Sequence, residues 1–283
     1  MRILITGAAG MLGSDVRAAA LAAGHEPQAL SRSELDITDA PAVAAAVAAR
    51  RPDAVINCAA WTDVDGAESQ PEGAAAVNVS GAENVARASF GAGAWTIHVS
   101  TDYVFAGTKP EAYVESDPVG PASAYGRSKL DGERAVAAVA PERHTIVRTA
   151  WLFGAGGPCF PRTIARLARE RDQLKVVDDQ IGCPTWTGHL GPALVALAAG
   201  AIAGPVHVAA AGSCSWCEFA REIVAGAEID CDVVPCTTAE FPRPAPRPAF
   251  SVLRSERGAE VPVLPGWRDG LSAYLTQSRE AVA

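Results

Sequence analysis

The stretch RILITGAAGMLG, residues 2–13, decides the fold. A short apolar run leads into three glycines, Gly7, Gly10 and Gly13, and then into an alanine- and leucine-rich segment that reaches about Ala23. The pattern predicts a buried strand, a tight turn and a helix. Glycines let such a turn close and let its backbone approach a diphosphate, while the helix N-terminus offers free N–H groups. The G-x-x-G-x-x-G spacing therefore predicts a dinucleotide-binding turn, with a plain glycine-rich turn as the alternative.

The same alternation of strand and helix continues along the chain. Five apolar runs are separated by helical segments of 10–20 residues: RILIT (2–6), EPQAL (26–30), DAVIN (53–57), AWTIHVS (94–100) and HTIVRT (144–149). This rhythm predicts an α/β fold with a Rossmann-like, doubly wound parallel sheet. After residue 149 loop-like segments dominate. We therefore expect an NAD(P)-binding domain over 1–150, and mainly a smaller C-terminal substrate-binding lobe over 151–283, with some segments returning to the sheet.

Composition restricts the class of function. The 283 residues carry a formal net charge of −8 and a pI near 5.2, which argues against a nucleic-acid or anionic-membrane surface. No apolar run reaches the roughly 20 residues of a membrane span. The chain enters a strand at once, which argues against a secretory signal, and an odd number of scattered cysteines, seven, favours reduced thiols. A globular protein of the cytoplasm is expected.

The end of the second predicted strand bears on the choice of dinucleotide. An NAD site usually keeps a carboxylate there for the ribose 2′-hydroxyl. In QALSRSELDITD, residues 28–39, Ser31 and Arg32 stand where the acid would be. Arg32 can pair with a 2′-phosphate, so NADPH is favoured and NADH stays possible. The alternative is that Arg32 is an ordinary surface arginine.

The stretch PASAYGRSKLDGE, residues 121–133, carries the candidate chemistry. Tyr125 and Lys129 lie four residues apart and share one helix face. An ammonium beside a phenol, whose pKa is ordinarily about 10, is expected to lower that pKa and improve proton transfer. Upstream, a predicted strand ends in Ser100 and Thr101, whose hydroxyls can bond a substrate oxygen beside the phenol. The alternative is a solvated helix face.

Motifs in order along nearly the whole chain carry a family resemblance. They are ILITGAAGMLG, DAVINCAAWTDVDGAE, VNVSGAENVA, HVSTDYVFAG, YGRSKLDGE, RTAWLFG, VVDDQIGCPTW and RPAPRPAFSVL. The chain resembles the extended short-chain dehydrogenase/reductase superfamily and, within it, the dTDP-4-dehydrorhamnose reductase family. The resemblance implies hydride transfer from NAD(P)H to the C4 ketone of dTDP-4-dehydro-β-L-rhamnose, giving dTDP-L-rhamnose.

The resemblance also implies residue roles. Tyr125 would donate the proton, Lys129 would hold the nicotinamide ribose, and Thr101 would bind the substrate oxygen. The other cofactor contacts would be Gly10, Met11 and Leu12 at the diphosphate, Asp36 and Ile37 at the adenine, and Ala60, Trp61 and Thr62 near the ribose. The residues that would face the sugar nucleotide are Asp102, Tyr103 and Trp151.

Several alternatives stay open. A related dehydratase would carry a Glu after Asp102, where this chain has Tyr103; an epimerase is harder to exclude. Cys159 stands where the family commonly has Asn, so a 4-ketoreductase for another dTDP-deoxysugar is the runner-up. A non-catalytic NADP-binding regulatory subunit, like that of methionine adenosyltransferase, is a third reading. The protein is expected to be a monomer or a homodimer.

No required metal is predicted. Some relatives bind Mg²⁺ through glutamates at a dimer interface, and Asp15 matches only the first such position. Cys214 and Cys217 form a C-x-x-C pair, followed by Cys231 and Cys236. Four thiols could bind zinc, and two of them could form a regulatory disulfide. The spacing of these cysteines and their apolar surroundings instead favour packing roles.

Overall fold

A parallel sheet forms the centre of the protein, which the computed structural model describes over residues 1–280. Within that range the sheet has six strands: β1 (Arg2–Thr6), β2 (Glu26–Leu30), β3 (Ala54–Asn57), β4 (Trp95–Thr101), β5 (His144–Thr149) and β10 (Gly204–His207). Their spatial order is β10-β5-β4-β3-β1-β2, and every pairing is parallel. The order reverses between β1 and β3. In such sheets ligands bind outside the carboxyl ends of the strands at this switch point.

Helices cover both faces of the sheet. The bounds are α1 (Met11–Ala22), α2 (Ala40–Arg50), α3 (Gly66–Ser69), α4 (Pro71–Ala75), α5 (Ala82–Gly91), α6 (Ala124–Val139), α7 (Phe160–Glu170), α8 (Thr187–Gly200), α9 (Trp216–Gly226) and α10 (Trp267–Glu280). Side chains of β1 alternate between the two layers: Ile3 and Ile5 pack with α1 and α8, and Leu4 packs with α2 and α5. Burial on both faces explains why the strands are apolar at successive positions. The predicted doubly wound α/β fold is confirmed.

The predicted helix after β3 contains an irregular segment. Between α4 and α5 the residues Ala76–Gly81 form a π-helix, which widens the helix without ending it. Such segments are rare and occur frequently at functional sites. Asn78 lies in this segment and is 1% exposed, although its side chain is polar.

Short strands and helices follow β5. Three two-stranded pairs join distant segments: β6 (Leu152–Phe153) with β9 (Thr185–Trp186), β7 (Gln173–Val177) with β12 (Asp232–Cys236), and β8 (Ile181–Gly182) with β11 (Cys214–Ser215). A second apolar cluster, with Phe153, Phe219 and Tyr274 among its members, lies among α7, α9 and α10. The chain re-enters the central sheet at β10. The functional division at residue 150 stays a prediction.

None of the helices within residues 1–280 is both long and apolar enough to cross a bilayer.

Candidate active site

The glycine turn lies at the switch point between β1 and β3. Gly7 has φ +66°, and a Cβ on it would stand 2.7 Å from the backbone nitrogen of Ala59, in the loop after β3. The Gly10 N–H donates to the Gly7 carbonyl at 3.0 Å. Gly10 also begins α1 without a side-chain cap, so the first N–H groups of the helix are left for another acceptor. The turn therefore fits a dinucleotide diphosphate, and Met11, Leu12 and Gly13 are the residues that would face it.

Replacing Gly7 by alanine is expected to lower both stability and cofactor affinity. The left-handed conformation costs roughly 1–2 kcal/mol for a side chain, and the contact with Ala59 must then be relieved by moving the loop that faces the cofactor. Gly24→Ala is the matched control, because Gly24 has φ +73° and nothing within 4 Å of its Cβ position. Urea unfolding and NADPH titration measure both effects. Equal losses in the two variants would contradict the role of crowding at Gly7.

The loop after β2 presents an exposed guanidinium. Arg32 is exposed, whereas Glu34, the carboxylate nearest to it in sequence, accepts hydrogen bonds from the Ser31 N–H at 2.8 Å and hydroxyl at 2.7 Å. These two bonds lower the pKa of Glu34 and hold its carboxylate back on the loop. Sequence reasoning did not single out Glu34. Arg32 is thus an exposed cation on this loop, beside the exposed carboxylates of Glu34 and Asp36.

Asp36 and Ile37 lie in different environments. Asp36 Oδ1 accepts from the Thr38 N–H at 2.9 Å and hydroxyl at 2.8 Å, and these bonds lower its pKa. The Ile37 side chain is 3% exposed and belongs to the core cluster under α2. An adenine contact from Ile37 would therefore have to use its backbone. Both cofactor roles stay predictions.

Asn78 fixes the loop that carries Ala60, Trp61 and Thr62. Its Oδ1 accepts from the Trp61 N–H at 2.9 Å, and its Nδ2 donates to the Trp61 carbonyl at 3.2 Å and to Ser128 Oγ on α6 at 2.9 Å. The π-helical segment thus ties the loop after β3 to the helix that carries Tyr125. Sequence reasoning missed Asn78, although an Asn inside an otherwise apolar helical run was a usable signal.

Thr101 and Tyr125 meet at the carboxyl end of β4. Thr101 is the last residue of that strand, and Tyr125 lies in the first turn of α6, which Ser123 caps by accepting from the Gly126 N–H at 3.1 Å. Tyr125 is 9% exposed, and burial raises the pKa of its phenol, with a hydrogen bond to the Thr101 side chain opposing the rise. The predicted lowering of the Tyr125 pKa is therefore wrong for the protein without cofactor, because desolvation of the phenolate dominates.

Lys129 is turned into the protein at this site. Its side chain is almost completely buried, and Nζ donates to the Val99 carbonyl on β4 at 2.8 Å and lies 3.5 Å from His98 Nε2. Burial lowers the pKa of Lys129 to about 8, against the opposing effects of Glu133 and Cys58. Tyr125 and Lys129 both lie on α6, four residues apart, and a contact of Lys129 with the nicotinamide ribose stays a prediction.

Asp102 and Tyr103 extend the site beyond Thr101. Asp102 Oδ1 accepts from the Thr101 hydroxyl at 3.0 Å, and burial raises the pKa of Asp102 to about 6. The Tyr103 ring stands edge-on to the Tyr125 ring, with centroids 5.5 Å apart and 77° between the planes. Trp151, with φ +47°, stacks on Trp216, and the centroids of the two rings are 3.5 Å apart. It is thereby tied to the C-terminal segments of the chain.

The proline-rich segment of residues 242–248 reaches the site through its arginines. Arg247 Nη2 lies 3.0 Å from Asp65 Oδ2, and Arg243 Nη1 lies 3.7 Å from the same oxygen. The Arg247 guanidinium is 5.9 Å from the centroid of the Tyr103 ring. Sequence reasoning missed Asp65 and Arg247; two arginines spaced by prolines were the available signal. The two arginines place positive charge beside the candidate substrate residues, in a chain whose net charge is negative.

The cysteines and Asp15 have packing partners. Cys159 is buried at the start of α7, with Sγ 3.5 Å from the Tyr274 hydroxyl on α10. All seven cysteines lie among the described residues and are free thiols, and Cys214 and Cys217 belong to the second core cluster. Within residues 1–280 no three His, Cys, Asp or Glu side chains are grouped as a metal site. Burial raises the pKa of Asp15, and a hydrogen bond with Thr187 opposes the rise.

A glycine turn at the switch point, with a threonine at the carboxyl end of β4 and a tyrosine and a lysine on α6, defines a dinucleotide-dependent oxidoreductase of the short-chain dehydrogenase/reductase class. Residues 1–280 match the family model described as RmlD substrate binding domain. The chain belongs to this family.

Individual relatives match almost end to end. The chain is 45% identical to a dTDP-4-dehydrorhamnose reductase of Streptomyces griseus over 99% of this chain and 94% of the relative. The crystal structure of a dTDP-4-dehydrorhamnose reductase from Clostridium acetobutylicum superposes with a TM-score of 0.95 at 41% identity, covering 99% of this chain and 100% of that one. The Bacillus anthracis dTDP-4-dehydrorhamnose reductase in complex with NADP gives 0.94 at 38% identity, covering 98% and 99%.

Proposed function

We propose that this protein reduces the C4 ketone of dTDP-4-dehydro-β-L-rhamnose to dTDP-L-rhamnose with NADPH. The observation that carries the proposal is the buried Thr101–Tyr125 pair, at the same carboxyl edge of the parallel sheet as the glycine turn, in a chain whose residues 1–280 match the family. The names of the relatives support the sugar nucleotide, and the NADP complex of the Bacillus anthracis protein supports the cofactor. A homodimer or monomer and a cytoplasmic location stay predictions.

The chemistry requires a hydride and a proton. The reduced nicotinamide, when bound, supplies the hydride. Tyr125 supplies the proton to the oxygen at C4, and the Thr101 hydroxyl holds that oxygen by a hydrogen bond. The raised pKa of Tyr125 suits this role, since it keeps the phenol protonated until an alkoxide, which is a stronger base, develops beside it. Positive charge on Lys129, one helical turn away, would stabilise the phenolate that results.

The sugar nucleotide would lie against residues already near Tyr125. Asp102 and Tyr103 adjoin the pair directly, and Trp151 presents a half-buried indole that can face a ring. The Arg247 guanidinium near Tyr103 offers an anchor for the diphosphate of the dTDP group, because planar N–H donors match phosphate oxygens.

Preference for NADPH is assigned to Arg32. In Arg32→Ala we expect NADPH to bind at least about tenfold more weakly, since a hydrogen bond to a charged group contributes about 1.5–3 kcal/mol. NADH affinity should be unchanged because NADH lacks the 2′-phosphate. Arg134→Ala, an exposed arginine paired with Asp131 on α6, is the control. Equal loss for both cofactors, or none for NADPH, would remove Arg32 from this role.

A substrate panel tests the proposed function. Oxidation of NADPH is followed with dTDP-4-dehydro-β-L-rhamnose and, separately, with other dTDP-4-keto-6-deoxysugars. The highest kcat/KM is expected for the rhamnose precursor. A higher value for another sugar would favour the runner-up ketoreductase. No turnover with any of them, together with a stoichiometric transferase partner, would favour a regulatory subunit.

A further inference from the structure

His98 lies behind the catalytic lysine, in the middle of β4. It is 1% exposed, and both ring nitrogens have polar neighbours: Nδ1 is 3.2 Å from Asn57 Nδ2 on β3, and Nε2 is 3.5 Å from Lys129 Nζ on α6. The ring therefore connects the sheet to the lysine. Neither the glycine turn nor the Thr101–Tyr125 pair uses it.

The contacts of Asn57 determine which nitrogen of His98 carries the proton. Asn57 Oδ1 accepts from the backbone N–H of Ala59 at 3.2 Å and from the Thr6 hydroxyl at 2.6 Å. A backbone N–H can only donate, so the amide cannot be rotated to place its NH₂ there. Asn57 Nδ2 must then donate to His98 Nδ1. That nitrogen is an acceptor, and the hydrogen of a neutral ring is on Nε2.

The Nε2–H group of His98 consequently points at the amine of Lys129. A neutral amine has a lone pair that can accept this hydrogen, whereas an ammonium has three donors and no acceptor. The second contact of Lys129, donation to the Val99 carbonyl at 2.8 Å, is available to both forms. His98 thus discriminates between the two protonation states. The ring itself stays neutral, since burial and the nearby Lys129 lower its pKa well below the ordinary value.

We propose that His98 is a positioning residue that favours the neutral amine of Lys129 in the cofactor-free enzyme, and that in alkaline solution NADPH binding is therefore coupled to uptake of one proton from solvent by Lys129. The proposal rests on the proposed function, since it requires NADPH at this site. The anionic diphosphate of the cofactor favours the ammonium, so in alkaline solution the positive charge arises beside Tyr125 only when a hydride donor is bound.

The other titratable groups around Lys129 do not reverse the preference for its neutral amine over its ammonium. Glu133, one turn along α6, favours the ammonium, but its carboxylate is already paired with Arg148 on β5 and accepts from Ser100 on β4. Cys58 follows β3 and acts weakly in the same direction. Tyr125, one turn earlier on α6, stays protonated, and His144 on β5 lies beyond His98.

The sign of the pH dependence follows from burial. In the free enzyme the pKa of Lys129 is lowered to about 8. Below that pH the lysine already carries its proton and NADPH affinity should be flat. Above it, binding must first draw a proton from solvent, so the Kd should rise about tenfold per pH unit until the higher pKa of the complex is reached.

Two variants separate positioning from packing. In His98→Gln the amide can accept from Asn57 through Oε1 and present an N–H to Lys129, as the imidazole does. In His98→Asn the shorter amide reaches Asn57 only. His144→Asn is the control, because His144 is a buried histidine of the same sheet whose ring bonds the Ala140 carbonyl.

Proton uptake is measured with an indicator dye in weakly buffered solution at pH 8.5 as NADPH is added. We expect most of one proton per NADPH for the wild type, His98→Gln and His144→Asn, and less than half of that for His98→Asn, with the rise in Kd shifted to higher pH. Equal uptake in wild type and His98→Asn would overturn the proposal.

A second measurement needs no cofactor and no variant that might fail to fold. The ¹⁵N shifts of the histidine rings in the free enzyme should show His98 with hydrogen on Nε2. Hydrogen on Nδ1 would overturn the inference even if NADPH binds and the sugar is reduced. Failure of the proposed function would instead appear as absent NADPH binding or absent reduction, with the tautomer as stated.

Discussion

Tyr125→Phe is expected to lower kcat by at least about a hundredfold, because the phenol is the proton donor and general acids of this kind contribute about 10²–10⁴ in rate. The Kd for NADPH should change little, since the ring and its packing are kept. Stopped-flow or steady-state oxidation of NADPH measures the rate, and fluorescence titration measures the Kd.

Tyr113→Phe is the matched control for that experiment. Tyr113 is buried like Tyr125, and its hydroxyl accepts from the N–H groups of Thr108 and Lys109 at 3.1 Å, within its own loop. Its loss should affect loop stability more than turnover. Full turnover in Tyr125→Phe, or an equal loss of kcat in both variants, would remove Tyr125 from the acid role.

The second large effect concerns stability. Glu133→Gln is expected to lower the free energy of unfolding by about 3–5 kcal/mol, the cost of leaving one charge of a buried pair without its partner. The side chains of Glu133 and Arg148 are 5% and 6% exposed, and the pair is bidentate, at 3.0 Å and 2.8 Å. Ser100 also donates to Glu133. Urea unfolding at pH 7 measures the change.

Glu83→Gln shows what a comparable substitution costs at the surface. Glu83 pairs with Arg87 one turn along α5, where the two side chains are 37% and 65% exposed. Exposed pairs of this kind contribute about 0.3–0.5 kcal/mol. If Glu133→Gln lowers the free energy of unfolding as little as Glu83→Gln does, then water or a rearranged side chain satisfies the Arg148 guanidinium. That result would contradict the isolation of Arg148 from water beneath α6.

Local patterns were sufficient for the sheet. The predicted strands of residues 2–6 and 26–30 coincide with β1 and β2 as observed, because the pattern of a strand is written in adjacent residues. The π-helical segment Ala76–Gly81 was not predicted. Its polar Asn78 is stabilised by Trp61 and Ser128, which are distant in sequence, and no local period records such contacts.

The candidate site could likewise be predicted only in part. The spacing of Tyr125 and Lys129, and the place of Thr101 at a strand end, single these residues out as candidates. The directions of their pKa shifts could not be predicted from the sequence. Spacing suggests that an ammonium lowers the pKa of the phenol, whereas burial raises it, and burial is a property of the assembled fold. His98 is 41 residues from Asn57 and 31 from Lys129, so the chain of contacts behind the lysine exists only once β3, β4 and α6 are packed.

The most direct test of the central claim follows the hydride itself. The enzyme is incubated with dTDP-4-dehydro-β-L-rhamnose and NADPH that carries deuterium at both positions of the nicotinamide C4, and the product is examined by NMR. We expect dTDP-L-rhamnose with one deuterium on C4 of the sugar and no H4 signal. Unconsumed cofactor, or a product with hydrogen at C4, would contradict the assignment of this site as a C4 ketoreductase.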